Sequence, residues 1–222
     1  MVKKSVAELS CADCGPLNCD RRDQKFPKFC LTEAVDTDLL NETLELYTGA
    51  GLDGRIAHAA AEVEGLYYGK LSRVEETVAF ARRIGAQKIG VASCVGLMSE
   101  AKIFVKVLER AGFRPYTVAC KLGSVDKTAI GIPEELKIKS GSFEGMCNPA
   151  LQAKALNAVN TDLNVMIGLC VGHDSLFYRY SKAPVTTLVV KDRVLGHNPV
   201  AALYTAETYC SRLQDAERLQ AL

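Results

Sequence analysis

Tryptophan is absent from this sequence, and aromatic residues of all kinds make up only 7% of it. No apolar run approaches the roughly 20 residues that a membrane-spanning helix requires; the longest, such as 165–172, reach about half that length. A membrane partner is therefore not expected. Excess charge is lacking too: 27 Lys and Arg stand against 26 Asp and Glu, a formal net charge of +1. Such a balance gives no electrostatic pull toward nucleic acid or an anionic membrane. The phosphate-binding loop, the dinucleotide fingerprint, the His-Glu-x-x-His helix and the Gly-x-Ser-x-Gly elbow are all missing, which removes the usual support for nucleotide, zinc-protease and serine-hydrolase chemistry. Lys3 and Lys4 are followed by no apolar stretch, so no signal peptide is expected. With nine cysteines, an odd number too small for a disulfide-stapled scaffold of 222 residues, the expectation is a reducing, cytoplasmic setting.

What is present is an ordinary core-forming composition, 48% hydrophobic and 24% charged, enough for one domain with an appendage. Residues 1–31 read as a cysteine-rich segment with almost no periodicity, where something other than a core must impose order. Residues 32–86 read as a helical section. Leu39, Leu40, Leu44 and Leu46 recur near helical spacing in 32–47, with Thr32 as an N-cap, and two further helices fit 52–67 and 72–84, the last stopped by Gly85. Residues 87–222 then beat as β-α-β units, with strands at 88–93, 116–119, 163–169 and 185–190 and helices at 99–111, 149–159, 174–180 and 199–213. The strands are apolar without alternation, as in a sheet covered on both faces. The expected fold class is α/β, a parallel Rossmann-like or flavodoxin-like sheet with flanking helices. The segment 121–145 is irregular and is a candidate functional loop. Ile89 to Gly96 and Ile167 to Gly172 both close on Cys-Val-Gly, which suggests two crossovers built alike.

Two sets of cysteines carry the chemistry. Cys11, Cys14, Cys19 and Cys30 form C-x2-C-x4-C-x10-C among Gly15, Pro16 and Pro27. Thiolates are soft and negative, so four of them suit tetrahedral zinc or an iron-sulfur cluster, and three clustered cysteines plus one remote favour a cluster, [4Fe-4S] by type. The second set is Cys94, Cys120, Cys147 and Cys170. The first, second and fourth follow expected strands, and Cys147 precedes the Asn148-Pro149 start of a helix. Ligands of open parallel sheets bind at the carboxyl ends of the strands, so these four are expected to converge there as a second metal or cluster site. Helix N-termini beside them would favour thiolate and cluster charge. A single cysteine in such a place is more often a small buried hydrophobe.

Among the histidines, His173 stands three residues after Cys170 and is the candidate catalytic group. His58 faces Glu62 one turn on, a pair that can hydrogen-bond. His197 belongs to a turn, and Phe177, Tyr178 and Tyr180 either wall the crevice or fill the core. Cys210 reads as a core residue or free thiol on the final helix.

The run Cys-Ala-Asp-Cys-Gly-Pro-Leu-Asn-Cys from Cys11 to Cys19 resembles the small four-iron domain of electron-transfer subunits and corrinoid iron-sulfur proteins, from which the gap before Cys30 departs. With Cys94, Cys120, Cys170 and the Cys-Val-Gly-His-Asp-Ser segment, the chain resembles a family of cysteine-rich proteins of unknown function, mainly from anaerobic microbes and identified as metal-binding. That resemblance implies metal binding and no particular reaction. The functional expectation is an iron-sulfur protein with a redox role, served by an electron-transfer partner or a small-molecule substrate, with homo-oligomerisation left open. An iron-sulfur-dependent oxidoreductase or sulfur-transfer enzyme fits that description. The alternatives are a zinc-stabilised binding or regulatory protein and a metallochaperone or cofactor-assembly factor.

Overall fold

The computed structural model describes residues 8–222; Lys3 and Lys4, on which the absence of a leader was argued, lie outside them. The chain divides into two compact units at residues 61 and 62, a division that falls inside one helix.

In the first unit, short turns replace a core. Ser10 and Asp13 close a capping box around the 3₁₀ turn Cys11–Asp13. Helix α1 (Asn18–Arg21) follows, and Asn18, 2% exposed, ties the segment together through its amide, which donates to the Gln24 carbonyl at 2.6 Å and accepts the Gln24 N–H at 2.9 Å. The single helix expected over 32–47 is two helices: α2 (Leu31–Ala34) and α3 (Thr37–Thr48). The break has a local cause. Asp36 is the N-cap of α3, its carboxylate accepting the N–H groups of Asp38 and Leu39, so an extended Asp36 interrupts the run. Thr32 lies within α2 and caps nothing. Helix α4 (Leu52–Tyr67) continues across the division.

The second unit opens with α5 (Arg73–Arg83), which starts at a Ser72/Glu75 capping box and stops before Gly85, whose φ is +79°. Four strands follow in alternation with helices: β1 (Lys88–Ser93), α6 (Met98–Arg110), β2 (Arg114–Ala119), α7 (Pro149–Ala158), β3 (Leu163–Ile167), α8 (His173–Tyr180) and β4 (Val185–Val189). All strand pairs are parallel and the order is β2-β1-β3-β4. The fold class is α/β, as the apolar runs implied. Ile89, Val91, Leu163, Val165 and Ile167 are at most 1% exposed, and each buried aliphatic side chain of that kind contributes about 1.5–3 kcal/mol.

Two glycines are fixed by close approach. A Cβ on Gly90 would stand 2.0 Å from Asn164 Oδ1, so β1 and β3 pack across a position only glycine can fill. Gly168 ends β3 with φ +65° and lies beneath Leu97, whose Cδ1 would be 2.0 Å from an added Cβ. The expected helix over 199–213 is broken into α9 (Val200–Tyr204), a 3₁₀ turn at Ser211–Gln214 and α10 (Ala216–Gln220). Thr205 turns its hydroxyl back to the Ala201 carbonyl while its own carbonyl accepts the Cys210 N–H at 2.8 Å, a local competition that ends the helix. Cys210 is buried in that turn rather than on a long helix. No helix among the described residues is long and apolar enough to cross a membrane.

Candidate functional site

The order β2-β1-β3-β4 places the topological switch point between β1 and β3, where the chain leaves β1 toward opposite sides of the sheet. The carboxyl ends of these strands are the expected ligand crevice. Cys94 follows β1 directly and Cys120 follows β2 directly. Their strand ends are held by Gln152 of α7, which is fully buried and donates from one amide nitrogen to the Ser93 carbonyl at 3.2 Å and to the Val118 carbonyl at 2.7 Å.

Cys147 is delivered by the irregular segment. That segment is an ordered loop closed on itself: Asp126 and Gly145 form an antiparallel bridge, and the Met146 N–H donates to the Val125 carbonyl at 2.7 Å. Lys137, 8% exposed, bridges Asp126 (2.8 Å) and Glu134 (2.7 Å) inside the loop. The Asn148 N–H then donates to the Cys120 carbonyl at 2.7 Å, which returns Cys147 to the end of β2. The Cys147 and Cys120 sulfurs are 3.8 Å apart.

Three thiols are thus gathered: Cys94, Cys120 and Cys147. Cys120 is in hydrogen-bond contact with both others and also accepts the Val95 N–H at 3.3 Å, while Cys94 accepts the Gly96 N–H. These two N–H groups open the 3₁₀ turn Val95–Leu97, a small cradle of backbone donors that favours negative charge. The Cys120 hydrogen bond lowers the Cys94 pKa to about 5 against the opposing effect of burial, with help from Gly96 and the Lys191 ammonium. Cys147 is lowered to about 5 as well, first by Cys120 and then by the charges of Lys121 and His173. Cys120, in contact with both other sulfurs and buried, is pushed upward.

Cys170 is reached by a different local path. β3 ends at Ile167, not at Leu169, and the positive φ of Gly168 turns the chain, so Cys170 does not follow its strand directly. Its sulfur accepts a hydrogen bond from Arg193 Nη2 at 2.9 Å. His173 is the first residue of α8; its Nδ1 is buried and has no hydrogen-bond partner. Glu62 pairs with Arg83 at 3.1 Å and not with His58. His197 is a turn residue with φ +67°, its Nδ1 accepting the Asp192 N–H at 3.1 Å. Phe177 is core, and Tyr178 bonds to Thr187 on β4. The cations Lys121, Lys191 and Arg193 were missed from sequence; the signal available was their position just after a strand-end cysteine or just beyond β4.

The N-terminal set is gathered differently. Cys11, Cys14, Cys19 and Cys30 all line one cavity, with Leu17, Pro27, Phe29 and Leu31 as its apolar walls. Cys11 and Cys19 are exposed, Cys14 and Cys30 partly so. Among the described residues, no three or more His, Cys, Asp or Glu side chains are gathered to hold a metal ion.

A relative from Methanocaldococcus jannaschii, uncharacterized protein MJ0455, is 48% identical over 151 residues, which cover 68% of this chain and 76% of the relative. No solved structure matches. The model of a family described as protein of unknown function, DUF1847, matches residues 30–188, a span that holds Cys94, Cys120, Cys147 and His173 and begins at Cys30. The chain belongs to the DUF1847 family of proteins of unknown function.

Proposed function

We propose that the protein is an iron-sulfur redox protein with two working sites: a four-iron cluster on Cys11, Cys14, Cys19 and Cys30, and the strand-end thiols Cys94, Cys120 and Cys147. The observation that carries the first site is that all four cysteines of the C-x2-C-x4-C-x10-C pattern face one cavity with apolar walls. Such a cluster supplies one-electron transfer. The residues around it do the rest. Leu17, Phe29 and Leu31 give the cavity apolar walls, and the Asn18–Gln24 hydrogen bonds fix the turn between Cys19 and Cys30. The exposure of Cys11 and Cys19 suits exchange of electrons with a protein partner.

The second site is supported by its place at the sheet's switch point and by its charge. Lys121, Lys191 and His173 act on thiolates that the backbone N–H groups of Val95 and Gly96 also serve. A reducing environment keeps both sites competent, consistent with cytoplasmic residence. The test is Cys14→Ser in anaerobically prepared full-length protein: iron, sulfide and the visible absorption of the cluster fall together while the sheet stays folded. One zinc per chain and no sulfide in the unaltered protein would replace this reading with a zinc-stabilised binding protein.

A further inference from the structure

The strand-end trio combines one sulfur within reach of solvent with one that solvent does not reach. Cys147 is partly exposed, Cys120 is 1% exposed, and their sulfurs are 3.8 Å apart. A disulfide requires about 2.05 Å, and Cys147 sits where the closed loop meets α7, so the approach needs only its side chain and the loop end to shift. Cys94, 7% exposed, contacts Cys120 from the other side. Two lysines serve the group: Lys121 acts on Cys147 and Lys191 acts on Cys94.

We infer that Cys147 and Cys120 form a dithiol that reduces low-molecular-weight anionic disulfides. The inference deepens the second site of the proposed function and does not depend on the cluster. The Cys147 thiolate attacks one sulfur of R–S–S–R; the S–S bond breaks, RS⁻ leaves, and Cys147 holds a mixed disulfide. Cys120 then gives its proton to the released RS⁻ and attacks the Cys147 sulfur, expelling the second RS⁻. Two electrons have moved from the dithiol to the substrate, the protein carries a Cys120–Cys147 disulfide, and the two leaving thiolates take their protons from Cys120 and solvent. Lys121 and His173 stabilise the attacking and departing negative charge. A reduced dithiol or electron donor restores the pair.

The test uses full-length, reduced protein with three disulfides of like size: dithiodipropionate, hydroxyethyl disulfide and cystamine, which are anionic, neutral and cationic. Each rate is divided by the rate of the same disulfide with free cysteine, and products are mapped by peptide mass spectrometry, which separates Cys147 from the exposed Cys11 and Cys19. Unaltered protein should yield a Cys120–Cys147 link and two released thiols per event. Cys120→Ser, or Cys120→Ala where the serine variant fails to fold, should stop at a mixed disulfide on Cys147 with one thiol released. The normalised rate should favour the anionic over the cationic disulfide by about tenfold, the lower end of electrostatic steering. A stable Cys147 adduct in the unaltered protein, or equal normalised rates for all three reagents, would overturn the inference. Metal bound at the trio, lost in Cys120→Ser and blocking every disulfide, would overturn it while leaving the second site of the proposed function standing.

Discussion

Cys147 should react with an electrophile at a rate almost independent of pH where ordinary thiols respond steeply. Only the thiolate is nucleophilic, and an unperturbed cysteine of pKa about 8.5 is about 0.3% ionised at pH 6 and about 3% at pH 7. Its rate therefore rises about tenfold across that unit. Cys147, with its pKa lowered to about 5 by Cys120, Lys121 and His173, is about 90% ionised at pH 6 and about 99% at pH 7, so its rate changes by only about a tenth. A lowered pKa also weakens each thiolate as a nucleophile, so the slope and not the absolute rate carries the comparison. The assay is iodoacetamide labelling between pH 6 and 8, quantified at the Cys147 peptide, with N-acetylcysteine as the reference thiol. Cys120→Ala should restore most of the pH slope, because the Cys120 hydrogen bond is the largest cause of the shift; Lys121→Gln should restore less. A tenfold rise per pH unit at Cys147 in the unaltered protein would refute the account of how the trio shares its charge.

Gln152→Ala opens a cavity beneath the site and removes the donor to the Ser93 and Val118 carbonyls, for an expected loss of about 2–4 kcal/mol in urea unfolding; a loss below about 0.5 kcal/mol would show that the strand ends do not need it. Gly90→Ala drives a Cβ against Asn164 Oδ1 and should cost about 3 kcal/mol, whereas Gly65→Ala in α4, with nothing within 4 Å, should gain about 0.5–1 kcal/mol. Asp126, Glu134 and Glu144 are all held below the usual carboxylate range, Asp126 and Glu134 chiefly by Lys137 and Glu144 chiefly by Lys127. Their contribution is therefore complete above that range and is lost as pH falls through it. Hydrogen-exchange protection in 126–144, corrected for the intrinsic rate at each pH, should fall on acidification before that of the sheet, and Lys137→Met should produce the same loosening at pH 7.

The sheet was legible because its apolar runs are short and bounded by Gly85, Gly112 and the Asn148-Pro149 pair, and because strands buried on both faces leave few alternative placements. Gly85 likewise marked the end of α5. Three local features hid elsewhere. Asp36 splits what looked like one leucine-rich helix, and Thr205 stops what looked like one long final helix; each is a side chain competing for backbone hydrogen bonds, which apolar spacing does not register. Gly168 ends β3 two residues early, so Cys170 follows a turn and not its strand directly. The convergence of Cys94, Cys120 and Cys147 was visible as a shared register, but their chemistry depends on Lys121, Lys191 and the Val95 and Gly96 N–H groups. Those partners are set by loop closure across 25 or more residues, beyond the reach of any local pattern.

The most direct measurement is the content of iron, zinc and acid-labile sulfide per chain in anaerobically purified protein, taken with a visible spectrum of the same sample. The account predicts about four irons with matching sulfide, the content of one cubane on Cys11, Cys14, Cys19 and Cys30. One zinc without sulfide, or no metal at all, would contradict it.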